Sequence, residues 1–96
     1  MNEFFSDLGS RLAAAAGARG SAVEPPALDP EVAFELLELA RVTAHTRERR
    51  FAPLACYLAG VGAERMRVAR GTMTAAEVAA YINDVRQSLE SLSAPE

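Results

Sequence analysis

Phe51-Ala-Pro-Leu-Ala-Cys-Tyr-Leu-Ala-Gly-Val-Gly-Ala63 carries no charged residue. Pro53 suits a first helical turn and Gly71 can end the helix, so the spacing predicts a helix over 53–70. Leu54, Tyr57, Leu58, Val61 and Val68 share one face. Ala52, Cys56, Ala59, Gly60 and Ala63, all small, share the opposite one. A helix apolar all round is buried all round, so other helices have to cover it. Gly60 and Gly62 each cost a helix about 1 kcal/mol relative to alanine, which is easiest to understand where another backbone approaches closely.

Upstream, Asp29 can cap a helix over 30–47 and Pro30 suits its first turn. Val32, Leu36, Leu39, Ala40 and Thr43 line one face of it. Glu31, Glu35 and Glu38 lie early while Arg41, His45 and Arg47 lie late, a gradient that follows the helix dipole. Downstream, Thr74-Ala-Ala-Glu77 has the pattern of a capping box and opens a helix over 74–92. Its stripe is Val78, Ile82, Val85, Leu89 and Leu92, with Tyr81 beside it. Short loops join these three helices, so neighbours are expected to run antiparallel.

The remaining periodic stretch is 2–16, where Phe5, Leu8, Leu12 and Ala15 or Ala16 recur at helical spacing until Gly17 and Gly20 stop it. Residues 17–28 are rich in Gly, Ser and Pro and read as a flexible loop. Such a linker lets the first helix dock loosely or swap onto a neighbouring copy. Residues 93–96 read as a frayed tail. No alternating strand pattern occurs. The expectation is one domain over 1–96, all-α, a small four-helix bundle with a long first loop.

Composition narrows the function classes. Of the 96 residues half are hydrophobic, too many for a disordered chain, and none is Trp. The net charge of −3 does not match nucleic acid as an electrostatic partner. All ten basic residues are arginine, which a GC-rich genome explains better than a demand for guanidinium at every position. A single cysteine, Cys56, excludes an intramolecular disulfide and a cysteine-based zinc site, and a single histidine, His45, excludes the usual two-histidine metal motifs. No metal site and no cofactor are expected. No apolar run reaches membrane-spanning length, and Glu3 and Asp7 stand where an export signal would have basic residues, so the expected compartment is the cytoplasm.

His45-Thr-Arg-Glu-Arg-Arg50 is the most informative local feature. It lies between the end of the second helix and the start of the third, whose positive end it adjoins. His45, Arg47, Arg49 and Arg50 there are candidate anion ligands. The plainer reading has a carboxylate such as Glu48, or an acid on the first or last helix, neutralise the cluster, and structural charge clusters are common. Arg65 joins the candidates because it falls within the Leu54–Leu58–Val61–Val68 face, where burial would demand a partner. Glu35, Glu38 or an anionic ligand could supply one, or the side chain could reach solvent. His45 has no carboxylate–His–nucleophile pattern around it, no serine lies in a nucleophile elbow, and Gly60-Val-Gly62 lacks the third glycine of a dinucleotide fingerprint. No catalytic residue is assigned.

Leu36-Leu-Glu-Leu-Ala-Arg-Val-Thr-Ala-His45, then Arg49, Ala52-Pro-Leu54 and Tyr57-Leu-Ala-Gly60, resembles a small actinobacterial helical domain of unknown function. The likeness covers about Leu28 to Arg65, roughly two fifths of the chain. Phe4 and Phe5 stand where members usually carry a Trp, and Arg50 where a Pro is common. The resemblance implies an association with molybdopterin-guanine dinucleotide biosynthesis, through the molybdenum cofactor guanylyltransferase. It implies no catalytic residue.

The first functional expectation is a non-enzymatic helical module that binds another protein, in molybdenum-cofactor biosynthesis or at a molybdoenzyme. The second is a domain that holds an anionic ligand, a nucleotide or phosphate, on the arginine-rich link. A DNA-binding regulator built on helices 2 and 3 fits less well, since no basic recognition helix is present. A homodimer is expected, because so short a chain struggles to bury Phe4, Phe5 and both faces of the third helix. Phe4, Phe5, Cys56, Ala59, Gly60 and Ala63 are its candidate interface residues.

Overall fold

The computed structural model describes residues 3–93. It contains four α-helices: α1 Glu3–Ala18, α2 Pro30–Thr46, α3 Ala52–Arg70 and α4 Ala75–Ser93. A single 3-10 turn, Arg49–Phe51, leads into α3. The fold class is all-α, as the periodicity requires. The expected start of the first helix at Asn2 and the tail residues 94–96 lie outside the described residues, as does the side chain of Leu92; Ser93, expected in the tail, is helical.

The chain divides into two compact units, Met1–Pro30 and Glu31–Glu96. In the first, α1 runs through Gly17 and stops at Gly20. The Ser21 N–H donates to the Ala16 carbonyl at 2.9 Å, and Gly20 takes φ +89°. This is a glycine-dependent C-cap, so of the two glycines only Gly20 is needed to end the helix. The segment after it lies against α1: Gly9 is buried because the Pro26 carbonyl occupies the space where its side chain would begin, and Pro25 Cβ lies 3.8 Å from that point.

The second unit is a three-helix core. Among the described residues, Leu39 and Val42 of α2, Ala63 of α3, and Ala79 and Ile82 of α4 are its buried apolar residues. Gly62 meets Tyr81 and Arg70 meets Glu77, so α3 and α4 form an antiparallel hairpin. Glu35 meets Asn83 and Arg86 while Arg41 meets Glu90. These contacts ascend together along both chains, so α2 and α4 run in the same sense. Gly71, at φ +92° with its N–H on the Arg67 carbonyl, ends α3. The expected capping box starts α4: the Glu77 N–H donates to Thr74 Oγ1 at 3.1 Å and the Thr74 N–H to Glu77 Oε1 at 2.8 Å.

α3 is not buried all round: one of its two apolar faces packs on the core and the other is exposed. The small face turns inward: Ala63 is buried, Ala52, Ala55, Cys56 and Ala59 are half-buried, and the Cys56 thiol donates to the Leu36 carbonyl at 3.6 Å. The large face turns outward, with Leu54, Tyr57, Leu58 and Val68 at 61%, 72%, 67% and 67% exposure. Helix separation depends on the side chains at the contact, and alanines let α3 approach its neighbours closely. At Gly62 the neighbour is a side chain, the phenol of Tyr81, and at Gly60 nothing lies within 4 Å, so neither glycine answers the close approach of another backbone.

Candidate functional site

The link between α2 and α3 carries the four adjacent anion-site candidates. Arg47 continues the helical bonding of α2, its N–H on the Thr43 carbonyl, and its guanidinium donates to the Thr46 carbonyl at 3.0 Å. The Phe51 N–H donates to the Glu48 carbonyl at 3.0 Å and closes the 3-10 turn. Glu48, the acid that the link itself carries, accepts from Arg50 Nε at 2.9 Å. The Arg50 guanidinium also lies 5.8 Å from the centre of the Phe51 ring, within range of a cation–π contact. His45 and Arg49 are exposed and make no ion pair among the described residues.

Arg65 does not join them. It is exposed on the outward face of α3, and thirteen residues of helix separate it from Ala52, about 20 Å. The acids proposed for it are taken by other arginines. Arg41 pairs with Glu38 at 2.9 Å, and its guanidinium holds the Glu38 carboxyl below the usual carboxylate range. Glu35 belongs to a half-buried polar network in the α2–α4 seam that sequence reading missed. Asn83 Nδ2 donates to it at 3.2 Å, Arg86 Nε lies 3.9 Å away, and the Arg86 guanidinium donates to Glu90 at 2.7 Å. The signal was legible as Asn83, Arg86 and Glu90, a polar line at helical spacing beside Ala79 and Ile82.

The arginine link opens onto an apolar groove of about 290 Å³. Its walls are Phe51, Leu54 and Leu58 on one side and Leu89 on the other, with Thr43 and Arg47 also lining it. Thr43 is buried, and its hydroxyl finds no hydrogen-bond partner among the described residues. The volume lies at the lower bound of ligand pockets and the lining is almost wholly carbon, so the groove suits an apolar side chain better than a nucleotide. It is continuous with the outward stripe of α3 through Leu54 and Leu58.

Of the interface candidates, Phe4 is exposed and its ring stands edge-on to that of Phe5, centroids 5.0 Å apart. Gly60 is exposed. Ala63 is buried, and Cys56 and Ala59 are half-buried against α2 and α4 of their own chain. Burial pushes the Cys56 thiol up, away from the thiolate form that reacts or binds metal. Among the described residues no three His, Cys, Asp or Glu side chains gather as a metal site would need, and no helix is long and apolar enough to cross a membrane.

The chain belongs to the domain family of unknown function DUF6457, which matches residues 2–96. No curated protein and no solved structure matches it. The membership takes in helix α1 as well as the core and brings no link to molybdenum cofactor biosynthesis with it.

Proposed function

We propose that this DUF6457 domain is a non-enzymatic, cytoplasmic module that docks another protein on the outward face of α3 and the groove beside it. The observation that carries the reading is the orientation of α3: its large apolar side chains stand in solvent while its alanines make the core. A contiguous apolar patch on a small domain marks an interaction surface. The basic link at one end of the groove favours a partner segment whose apolar anchor is followed by acidic residues.

The resemblance to domains associated with the molybdenum cofactor guanylyltransferase names the first partners to test, that enzyme and a molybdoenzyme such as a formate dehydrogenase. Calorimetric titration of purified candidates against wild type and Leu58→Asp is the experiment. The reading expects binding by the wild type and a loss of at least tenfold in the variant, with helicity unchanged. A partner bound equally well by both proteins overturns the α3 face as the docking surface.

The alternative is an anionic-ligand domain. His45 and Arg49, exposed and without an ion pair among the described residues, favour it; the pairing of Arg50 with Glu48 counts against it.

A further inference from the structure

We propose that the outward face of α3 pairs with the same face of a second copy, the two helices crossing antiparallel about a two-fold axis at Val61. The inference rests on the reading of this face as an interaction surface and adds the identity of one occupant. It starts from the placement of side chains on either side of Val61, itself half-buried. Seven residues before it stands Leu54 and seven after it Val68, both largely exposed. Four before it stands Tyr57 and four after it Arg65, also both exposed. An antiparallel crossing centred on Val61 therefore sets Leu54 against the second copy's Val68, and Tyr57 against its Arg65, twice over. Such a seam is isologous and closes on itself.

The pairing of Tyr57 with Arg65 fits by charge. Arg65 is the one cation within an otherwise apolar stripe, and it has no ion pair among the described residues, while its neighbour Glu64 is held by Arg67. A guanidinium over the face of Tyr57 gives the arginine a partner without burying a bare charge. The monomer also has reason to pair. Among the described residues its buried apolar side chains are Leu39, Val42, Ala63, Ala79 and Ile82, two of these five being alanine. The larger side chains of α3 gain burial only against something outside the chain, and each one fully covered contributes about 1.5–3 kcal/mol.

The test is sedimentation of the full chain from low to high micromolar concentration, with Val61→Asp and Arg65→Glu beside it. The wild type is expected to dimerise across that range; Val61→Asp is expected to stay monomeric with unchanged circular dichroism, and Arg65→Glu to weaken the dimer at least fivefold. A register test accompanies it. In a Cys56→Ala background, Val61→Cys is expected to oxidise to a disulfide-linked dimer, because the two-fold brings that position onto itself, and Leu54→Cys is not. A wild type that is monomeric throughout overturns the proposal, as does a dimer indifferent to Val61→Asp. A monomeric wild type that still loses a foreign partner on Leu58→Asp removes the dimer and leaves the docking reading in place.

Discussion

The hydroxyl of Tyr81 on α4 occupies the space where a side chain at Gly62 of α3 would begin, with the phenol carbon 3.2 Å from that point. Gly60, two residues earlier and with nothing within 4 Å, serves as a natural control. Gly60→Ala is expected to stabilise the protein by about 1 kcal/mol through helix propensity. Gly62→Ala gains the same propensity but forces Tyr81 out of its packing, at a cost of about 1–3 kcal/mol, for a net effect that is neutral or destabilising. Urea unfolding of the two variants checks the contrast, and Tyr81→Phe, which removes the nearest atom, should bring Gly62→Ala closer to Gly60→Ala. Equal effects at the two positions would show that Tyr81 yields freely.

Arg86 and Glu35 form an ion pair with both side chains mostly covered, 16% and 14% exposed. Removing one partner leaves a charge in a poorly solvated seam, so Arg86→Ala is expected to cost on the order of 3 kcal/mol. Replacing both, with Glu35→Leu and Arg86→Met, should recover at least half of that loss, because the seam then buries apolar groups. Denaturant unfolding of the single and double variants decides it; a double variant no better than the single one would place the stabilisation in the Asn83 and Glu90 contacts instead.

The Glu77 carboxyl is held below its ordinary value of 4.5, first by the Thr74 N–H and then by Arg70 and the Thr74 hydroxyl. A carboxyl whose folded value is depressed lends stability that is fully present above its unfolded value and is lost as pH falls through the folded one. Thermal melts between pH 7 and pH 3 should therefore show a decline setting in near the ordinary carboxylate value, and Glu77→Gln should show a shallower one. Identical pH profiles would mean the cap does not respond to the charge on Glu77.

The arginine link separates the two functional readings. If it holds an anion, phosphate or guanine nucleotide should raise the melting temperature of the wild type by mass action and leave Arg49→Ala unmoved. The docking reading expects no shift with either ligand and a change of less than about 0.5 kcal/mol in Arg49→Ala, since Arg49 is exposed and Arg50 is the arginine that Glu48 takes. A ligand-dependent shift abolished by Arg49→Ala would favour the anion site.

Much of the fold was legible because its signals are local. The proline that opens α2, the capping box at the start of α4 and the glycine after α3 act through bonds within a few residues of themselves, and each element lies where they put it. The core face of α2 was legible in part: Leu39 and Thr43 are buried as their spacing implies, but Val42, off the expected face, is buried too, and Phe34 and Leu37 stand exposed on the far side. The 3-10 turn at Arg49–Phe51 was not, since no residue type demands it. The Asn83–Arg86–Glu90 line on α4 was hidden for a different reason. Each of its residues is ordinary on a solvated helix, and only Glu35 opposite makes them a network.

The sequence by itself determined four helices, where they start and stop, and that α3 is apolar around most of its girth. Only tertiary structure decided which way α3 turns. Both of its faces are hydrophobic, so periodicity could not rank them. Close packing against two other helices rewards small side chains at the contact, so Ala59 and Ala63 went in and Leu54, Tyr57 and Leu58 were left outside. Arg65 lies on the outward side with them, where water can solvate its charge, and that one residue was the mark in the sequence of the face that the monomer leaves open.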